Sequence, residues 1–572
     1  MATREQARPS GDTVLRARLR WQSAQRDDQQ VAQALYAGEE VDALHELSEA
    51  GLLDGFFSFL EEVGVLGLFG DLTLPGVQRV LVPVVQFVLL YLLKVLYGVP
   101  SMNALPALVF SNEAAMTLVG FNAIQIAEGL TQRGEAKRQH KRKQGPLSPQ
   151  CLAQNISKFT QEQMEHLFNA AVRLLVARGC VQGALTVALD GSQVPTPKSY
   201  PGRGCLAVTR TAREKQSKQL VQVVEYVFGW KVLVLIEVRT RLPLAMKVVS
   251  IQAYEGAWLL PLLTQAQANL GDHARIAKVV ADRGYLDGAD LWQVAQRGII
   301  FVVVAKAGMA VADDARALAA RRRGSRRERV VRHGRGRTAT TQTRTTVLVG
   351  LRGLTTYDAY GDPEQTKEHL RKDYAGTPLN AVVVRTWDNR TPKEGTVYLT
   401  NGPVSDPFVV FDDYDWRSVI ENGIFKEGKH PWHLTHFPQR TEAAVIVHCH
   451  FTLLVMTLTT AYRLWQAQQA STAAANRTLS STLLGGEGAE RWRRRLKEEN
   501  RDKVIVFVGD HYGIFHLAEL SVLTGIRLKT LPAHLGSWRD VLARYGISGA
   551  PDALAPPHAP LTHLPQVSAR AA

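Results

Sequence analysis

Apolar residues in the first part of the chain recur at the three-to-four spacing of a buried helix face: Leu44 and Leu47, then Phe56, Phe59, Leu60 and Val63. Between Leu89 and Gly120 the helical texture breaks at Gly98-Val99-Pro100 and again at Gly120. Residues 1 to about 150 therefore read as helical. This block closes in a run of cations, Arg133, Lys137, Arg138, Lys141, Arg142 and Lys143, just before Gly145-Pro146. Such a run is a solvated linker or a track for a phosphate backbone.

After Gln182 the pattern changes. Ala184 to Leu189 is a short, β-branched apolar run that ends in Asp190, as a buried strand would. Two strand-like runs fall between Leu220 and Thr240, broken near Gly229-Trp230, and another spans Leu244 to Ile251. Arg275 to Ala281 predicts a strand ending in Asp282, and Gly298 to Ala305 a strongly apolar one. Helical stretches at Ala257 to Leu270 and Leu286 to Gln296 separate them, so the expectation is a mixed α/β sheet covered by helices. Arg321, Arg322, Arg323, Arg326, Arg327, Arg329, Arg332, Arg335 and Arg337 then crowd a glycine-containing stretch that reads as exposed and mobile. Strands resume at Thr346 to Leu351, Asn380 to Thr386 and Thr396 to Thr400, and helix from Asp415 to about Gln468. Ala470 to Gly488 reads as a linker, Lys503 to Val508 as a strand of a small last unit, and the chain from Pro551 as a disordered tail.

Composition narrows the partners. With 572 residues the chain exceeds what one hydrophobic core serves, and 45% hydrophobic against 21% charged residues is ordinary for a globular protein. The net charge of +15 and pI near 9.6 are not ordinary, and they favour a polyanion. The longest apolar run, Val80 to Leu93, holds Pro83 and Gln86 and falls short of the roughly 20 residues a membrane span needs, so it predicts a buried core helix and no membrane partner. No apolar secretion signal is visible at the N-terminus. Cys151, Cys180, Cys205 and Cys449 lie far apart, which is neither a disulfide framework nor a zinc site and fits a reducing, cytoplasmic setting.

Three acids stand out by position. Asp190 and Asp282 each end an apolar strand, in Leu189-Asp190-Gly191-Ser192 and Asp282-Arg283-Gly284-Tyr285. Glu421 sits at the front of a helix, with Arg417 and Tyr414 on the same face at spacings of four and three. Taken singly, each aspartate is a turn residue or helix cap, and Arg417 with Glu421 an ordinary i,i+4 ion pair. Taken together they offer three carboxylates for hard divalent cations, with a guanidinium shaped for phosphate. Two such ions hold both the attacking and the leaving oxygen of an in-line phosphoryl displacement. Trp432, in His430-Pro431-Trp432-His433, is a packing residue or a stacking platform. His448 and His450, two apart on a helix, point to different faces and do not make a metal pair, and Asp510 reads as a turn.

These motifs resemble the DDE insertion-sequence transposases that carry the Tyr-Arg-Glu-Lys signature, Y-x2-R-x3-E-x6-K: Tyr414, Arg417 and Glu421 match its first three elements. Leu189 to Ser192, Asp282 to Tyr285 and Val397 to Asn401 are similar to the family's other motifs, in the family's order. The lysine departs from it, because position 428 is Gly428 and Lys429 follows one residue late, a turn of about 100° on an unbroken helix. Either Gly428 ends or distorts the helix and restores the aim, or Lys426 fills the role. The resemblance implies a ribonuclease-H-like mixed sheet flanked by helices, a helical DNA-binding region over 1–150, the core over 151–305 and 406–470, a β-rich, Arg-rich insertion over 306–405, and a linker and small C-terminal region over 471–572.

By the same resemblance, Asp190, Asp282 and Glu421 are both catalytic and metal-binding, with two Mg2+ ions that Mn2+ can replace. Tyr414, Arg417, Lys429, Arg321, Arg322, Arg323, Arg326 and Arg327 contact DNA. The expected activity is cleavage of transposon ends and joining of the 3′-hydroxyl to target DNA, by a homodimer on double-stranded DNA at the bacterial nucleoid. The nearer alternatives are a ribonuclease-H-like nuclease and an inactive transposase-derived DNA-binding protein. A hydrolase of small phosphates is more distant, given the charge and the arginines.

Overall fold

The computed structural model describes residues 22–47, 50–77, 82–130, 145–213, 220–333, 340–364, 376–388, 391–469, 501–526 and 537–548. The cationic run from Arg133 to Lys143, the stretch from Ala470 to Gly488, the tail from Pro551, and Arg335 and Arg337 lie outside the described residues.

A mixed ten-stranded sheet runs through the centre of the protein. Its strands are β3 (Gly183–Pro195), β4 (Gly204–Arg213), β5 (Leu220–Glu237), β6 (Pro243–Ser250), β7 (Ala274–Ala281), β8 (Ile300–Val304), β9 (Ser325–His333), β10 (Thr340–Leu354), β11 (Leu379–Asp388) and β12 (Thr391–Thr400). They lie in the order β4-β5-β3-β7-β8-β12-β11-β10-β9, with β6 also against β5. The β3/β7 and β7/β8 pairs are parallel, and the other pairs of this sheet are antiparallel. Parallel neighbours need a crossover, which the helices Leu259–Leu270 and Gly288–Gln296 supply on the way into β7 and β8. Accordingly β8 and the end of β7, Val279 to Ala281, read as continuous apolar runs rather than alternating ones.

The break expected near Gly229-Trp230 does not divide the strand, because β5 runs straight through it. Gly229 sits at φ 141, and a Cβ there would lie 2.2 Å from the carbonyl oxygen of Val194 on β3, so only glycine lets the two strands close up.

Two long apolar helices form the other half of the core. Val84–Leu96 starts directly after Pro83 and buries every residue from Gln86 to Val95, as a core helix apolar all round must. Glu442–Gln469 contains a window long and apolar enough to cross a membrane, but 89% of it is buried inside the protein. It packs on Val84–Leu96 and on Gln161–Ala177, and its two histidines are internal: His448 Nδ1 meets the Tyr91 hydroxyl at 2.9 Å, and His450 Nδ1 meets the carbonyl of Ile446 at 2.8 Å. Trp432 packs against the same core, half-buried.

Two expectations need correction. The first 150 residues are not wholly helical, since they contribute β1 (Gln25–Arg26) and β2 (Ala43–Glu46). These join β13 (Lys503–Val508) and β14 (His511–His516) in a four-stranded sheet ordered β1-β14-β13-β2, over its own core of Val31, Leu35, Leu44, Val506, Phe515 and Leu523. Strands of two and four residues are too short to show a period, and their partners come from the far end of the chain. Gly509-Asp510 is the turn between β13 and β14, with Gly509 at φ 65.

Nor is the arginine-rich stretch a loose loop where it is described. Ser325 to His333 forms β9, paired in register with β10 from Ser325↔Leu348 to His333↔Thr340, and it makes the outer edge of the sheet. An edge strand lined with cations resists pairing with other chains, which reconciles the composition with a strand. Strands β9 to β12 continue the central sheet through the Leu399↔Val303 pairing of β12 with β8.

Candidate active site

Asp190 lies within β3 rather than at its end, and Asp282 follows the last residue of β7. Since Leu189 pairs with Ala281 across the two parallel strands, the aspartates stand one step further along adjacent strands. Backbone N–H groups fix both carboxylates: Gly191 donates to Asp190 Oδ1 at 2.8 Å, and Gly284 donates to Asp282 Oδ1 at 2.6 Å. Asp282 thereby caps the short turn Arg283–Tyr285. Asp190 is only 8% exposed, and its carboxyl is pushed up to about 6. Burial is the main cause, and the Asp282 and Glu255 carboxylates add to it, while the Gly191 N–H and Arg417 oppose it.

The third acid comes from a helical segment laid across these strands. Pro407–Asp415 begins at Asp406, whose side chain accepts from the N–H of Phe408, with Pro407 in the first turn. Its inner side meets Val280, Val302, Leu348 and Tyr398 on the sheet, and Asp413 pairs with Lys278 of β7. The Tyr414 ring packs tilted on Tyr398, 4.7 Å between centroids, and burial raises its hydroxyl above the ordinary range. Arg417 follows, and its Nη1 donates to Asp190 Oδ2 at 2.9 Å while Nη2 lies 3.6 Å from Glu421 Oε2. Glu421 itself is turned outward, with its side chain 65% exposed. The structure thus brings Asp190, Asp282, Tyr414 and Arg417 together and links Glu421 to them through one guanidinium.

Glu421 opens a π-helical stretch, Ile420–Phe425, which runs into the helix Lys426–Lys429. Gly428 does not end that helix; it is buried inside it, and the irregularity lies earlier, in the π turn. Lys429 is half-buried, and burial lowers its ammonium below the usual lysine range. Lys426 is exposed.

The arginines divide into two sets. Arg321, Arg322 and Arg323 are exposed just beyond the helix Ala310–Ala320. Arg326 pairs with Glu328 on its own strand. Arg327 is committed, donating to both oxygens of Asp412 at 2.6 and 3.0 Å and lying 3.9 Å over the Phe408 ring, so it fastens β9 to the helix that precedes Arg417. Arg327 thus braces the strand edge against that helix in the absence of DNA.

One acid of this neighbourhood escaped sequence reasoning. Glu255, in the turn between β6 and the helix Leu259–Leu270, accepts from Lys231 Nζ at 2.6 Å. Its carboxylate is 3.3 Å from where a Cβ on Gly191 would stand and 2.9 Å from a Cβ on Gly284. The usable signal was Lys231, a lysine inside a buried apolar strand, since a buried ammonium needs a nearby acceptor.

Among the described residues no three His, Cys, Asp or Glu side chains are already gathered as a metal cage. The donor chemistry still suits hard cations: two carboxylates side by side, one held protonation-prone by burial and by its acidic neighbours. The buried Tyr285 hydroxyl, 0% exposed and without a hydrogen-bond partner, is an orphan beside them.

The chain has no match among curated proteins. Among solved structures it resembles a piggyBac transposase synaptic complex with hairpin DNA, at 9% identity and a TM-score of 0.34, over 83% of this chain and 85% of that one. Residues 182–458, a little under half of the chain, match the family model of the transposase DDE domain, and this match supports a DDE transposase.

Proposed function

We propose that the protein cleaves DNA at transposon ends and joins the freed 3′-hydroxyl to target DNA, with Asp190, Asp282 and Glu421 as its catalytic carboxylates. The observation that carries this reading is the pairing of Asp190 and Asp282 on adjacent parallel strands, with Arg417 reaching from the Glu421 segment onto Asp190. The three carboxylates would hold two Mg2+ ions, which Mn2+ can replace. When bound, such ions lower the pKa of an attacking water and stabilise the departing oxygen.

The chain's own residues set the geometry. Asp190 and Asp282 are held by backbone amides and cannot swing away. Arg417 balances the negative charge of Asp190 and Glu421 without DNA, and its planar fork transfers to a phosphate when DNA arrives. Tyr414, braced on Tyr398, and Lys429 grip the neighbouring phosphates. The π turn supports Lys429 as the signature lysine. Seven residues along an α-helix return to about the same face, and a π turn takes in one more. That is the one-residue excess between Glu421 and Lys429. Exposed Arg321, Arg322 and Arg323, with Arg326 on the sheet edge, extend the basic surface for double-stranded DNA, which two copies of the chain would hold as a synapsed pair of ends.

The test is cleavage and strand transfer on labelled duplexes drawn from the DNA flanking the protein's own gene, with Mg2+. Asp190→Asn, Asp282→Asn and Glu421→Gln should each lose joined product by several orders of magnitude, as removal of any member of a unit does, while DNA affinity persists. Cleavage without joining would make the protein a nuclease. Binding without cleavage by the native chain would leave a transposase-derived DNA-binding protein. Undiminished activity of Glu421→Gln would sink the assignment of the third acid.

A further inference from the structure

Asp190 and Asp282 are not alone at the strand ends. The Glu255 carboxylate lies against Gly191 and Gly284, the glycines that follow the two aspartates and each lack a side chain. A Cβ at Gly284 would stand 2.8 Å from Asp282 Oδ1 and 2.9 Å from Glu255 Oε2, so both oxygens border the same small space. A Cβ at Gly191, the residue after Asp190, would press on Glu255 at 3.3 Å and on Leu233 at 2.8 Å. Both positions therefore tolerate little beyond glycine while Glu255 is where it is.

Glu255 is also held in place. Lys231 Nζ donates to its Oε1 at 2.6 Å and to the Ala253 carbonyl at 3.2 Å, and the Lys231 side chain is itself only 9% exposed. Burying the Lys231 ammonium costs desolvation that an apolar residue would avoid, while the Glu255 side chain stays 23% exposed and open to a further partner. A second observation points to a missing partner. The Tyr285 hydroxyl is fully buried, has no hydrogen-bond partner, and feels the fields of Glu255, Asp190 and Asp282 together. A buried hydroxyl without a partner, close to these carboxylates, is the arrangement expected around a site completed by a cation and its waters.

We infer that Glu255 is a fourth carboxylate of the metal site, a positioning residue that accepts hydrogen bonds from water on the cation held by Asp190 and Asp282, with Lys231 aiming it and the Tyr285 hydroxyl bonding the same water layer. This rests on the metal-dependent reading above. It differs from the three-acid assignment because it gives the outer shell of the ion to a residue on a different element, the turn before the helix Leu259–Leu270. Magnesium keeps several of its waters when bound by one or two carboxylates, so an outer carboxylate has work to do.

The experiment is Mn2+ binding to the full chain by calorimetry, with water-proton relaxation read on the same samples. The native chain should bind Mn2+, and Asp190→Asn should abolish the binding. Glu255→Gln should weaken it by about 10–100-fold and alter the relaxation of the metal's water, the range seen when an outer-shell partner is removed. Tyr285→Phe removes a hydroxyl that bonds nothing in the protein, so it folds normally and should weaken binding by a smaller factor. Glu255→Asp, which keeps the charge on a shorter arm, should recover part of the loss. Affinity and relaxation of Glu255→Gln and Tyr285→Phe within about twofold of native, with Asp190→Asn inactive in binding, would overturn the role of Glu255 and leave the two-aspartate site standing. Absence of Mn2+ binding by the native chain would instead overturn the metal-dependent reading itself, and this inference with it.

Discussion

The two halves of the candidate site are built differently. The strand half, buried Asp190 and half-buried Asp282, is fixed by backbone amides and tied to the central sheet by the register of β3 and β7. The helix half, Glu421, is 65% exposed, begins a π turn, and reaches the aspartates only through Arg417. Burial makes Asp190 expensive to charge, and the backbone amides hold both aspartates in aim; exposure makes the helix half cheap to hold and easy to re-aim. On the proposed function, a site that admits DNA would gain from this division, because a fixed half can keep the geometry while an exposed half adjusts to the substrate. Arg417 is the hinge of the comparison, since it neutralises both halves when DNA is absent.

The largest effect should therefore come from Arg417. Arg417→Gln leaves Asp190 and Glu421 without their shared cation and, on the proposed function, leaves a DNA phosphate without its fork. Strand transfer should fall by about 100-fold or more, while Mn2+ binding in the absence of DNA should tighten, because one competitor for Asp190 is gone. The two readouts moving in opposite directions is the signature. If both fall together, Arg417 is a structural brace and not a charge that yields to metal and phosphate.

The strand half was legible in the sequence because the signal is local: a β-branched run of buried length followed by an acid and a glycine, at Leu189-Asp190-Gly191 and again at Ala281 to Gly284, although β3 continues past Asp190 to Pro195. Tyr414, Arg417 and Glu421 were legible through helical spacing alone. What was hidden depends on distant partners. Glu255 sits in a polar turn, Ala253-Tyr254-Glu255-Gly256, with nothing local to mark it. β1 and β2 are strands only because β14 and β13 return to them, and β9 is a strand only because β10 pairs with it despite its arginines. Arg327 looked like its neighbours, yet Asp412 and Phe408 claim it. Sequence spacing cannot tell a free cation from one committed to an acid eighty residues away.

A next, smaller effect sharpens the cost of burying charge. The Asp190 carboxyl, pushed up to about 6 from an ordinary 3.8, is disfavoured when ionised in the fold. A raised carboxylate penalises folding fully above pH 6, progressively less as pH falls, and not at all below the unfolded value. Asp190→Asn removes the penalty, and about two pKa units correspond to roughly 3 kcal/mol as an upper bound. In chelator, the variant should be more stable than the native chain at pH 8 by about 1–3 kcal/mol, and the gap should close towards pH 4. Urea unfolding at the two pH values measures it. A variant less stable than native at pH 8 would mean the Arg417 bond outweighs the burial of the charge.

The smallest effect tests whether the helix half is as adjustable as its exposure suggests. The π turn Ile420–Phe425 stores one residue more than an α-helix would, and Asn422 within it is exposed. Deleting Asn422 should let the segment wind as an α-helix, with the lysine now seven places after Glu421 and on the same face as before. Stability should change by less than about 1 kcal/mol, since π turns are somewhat strained, and strand transfer by less than about tenfold. Inserting an alanine after Asn422 instead should rotate Lys429 by about 100° away from Glu421 and cost considerably more. The contrast between deletion and insertion carries the point, because both alter the helix by one residue and only one disturbs the facing of the two side chains. Equal losses from both changes would show that the π turn is needed for itself, as the element that turns Glu421 outward towards solvent. Equal tolerance would show that Lys429 does not share a face with Glu421 in the working complex, and the lysine role would then pass to Lys426.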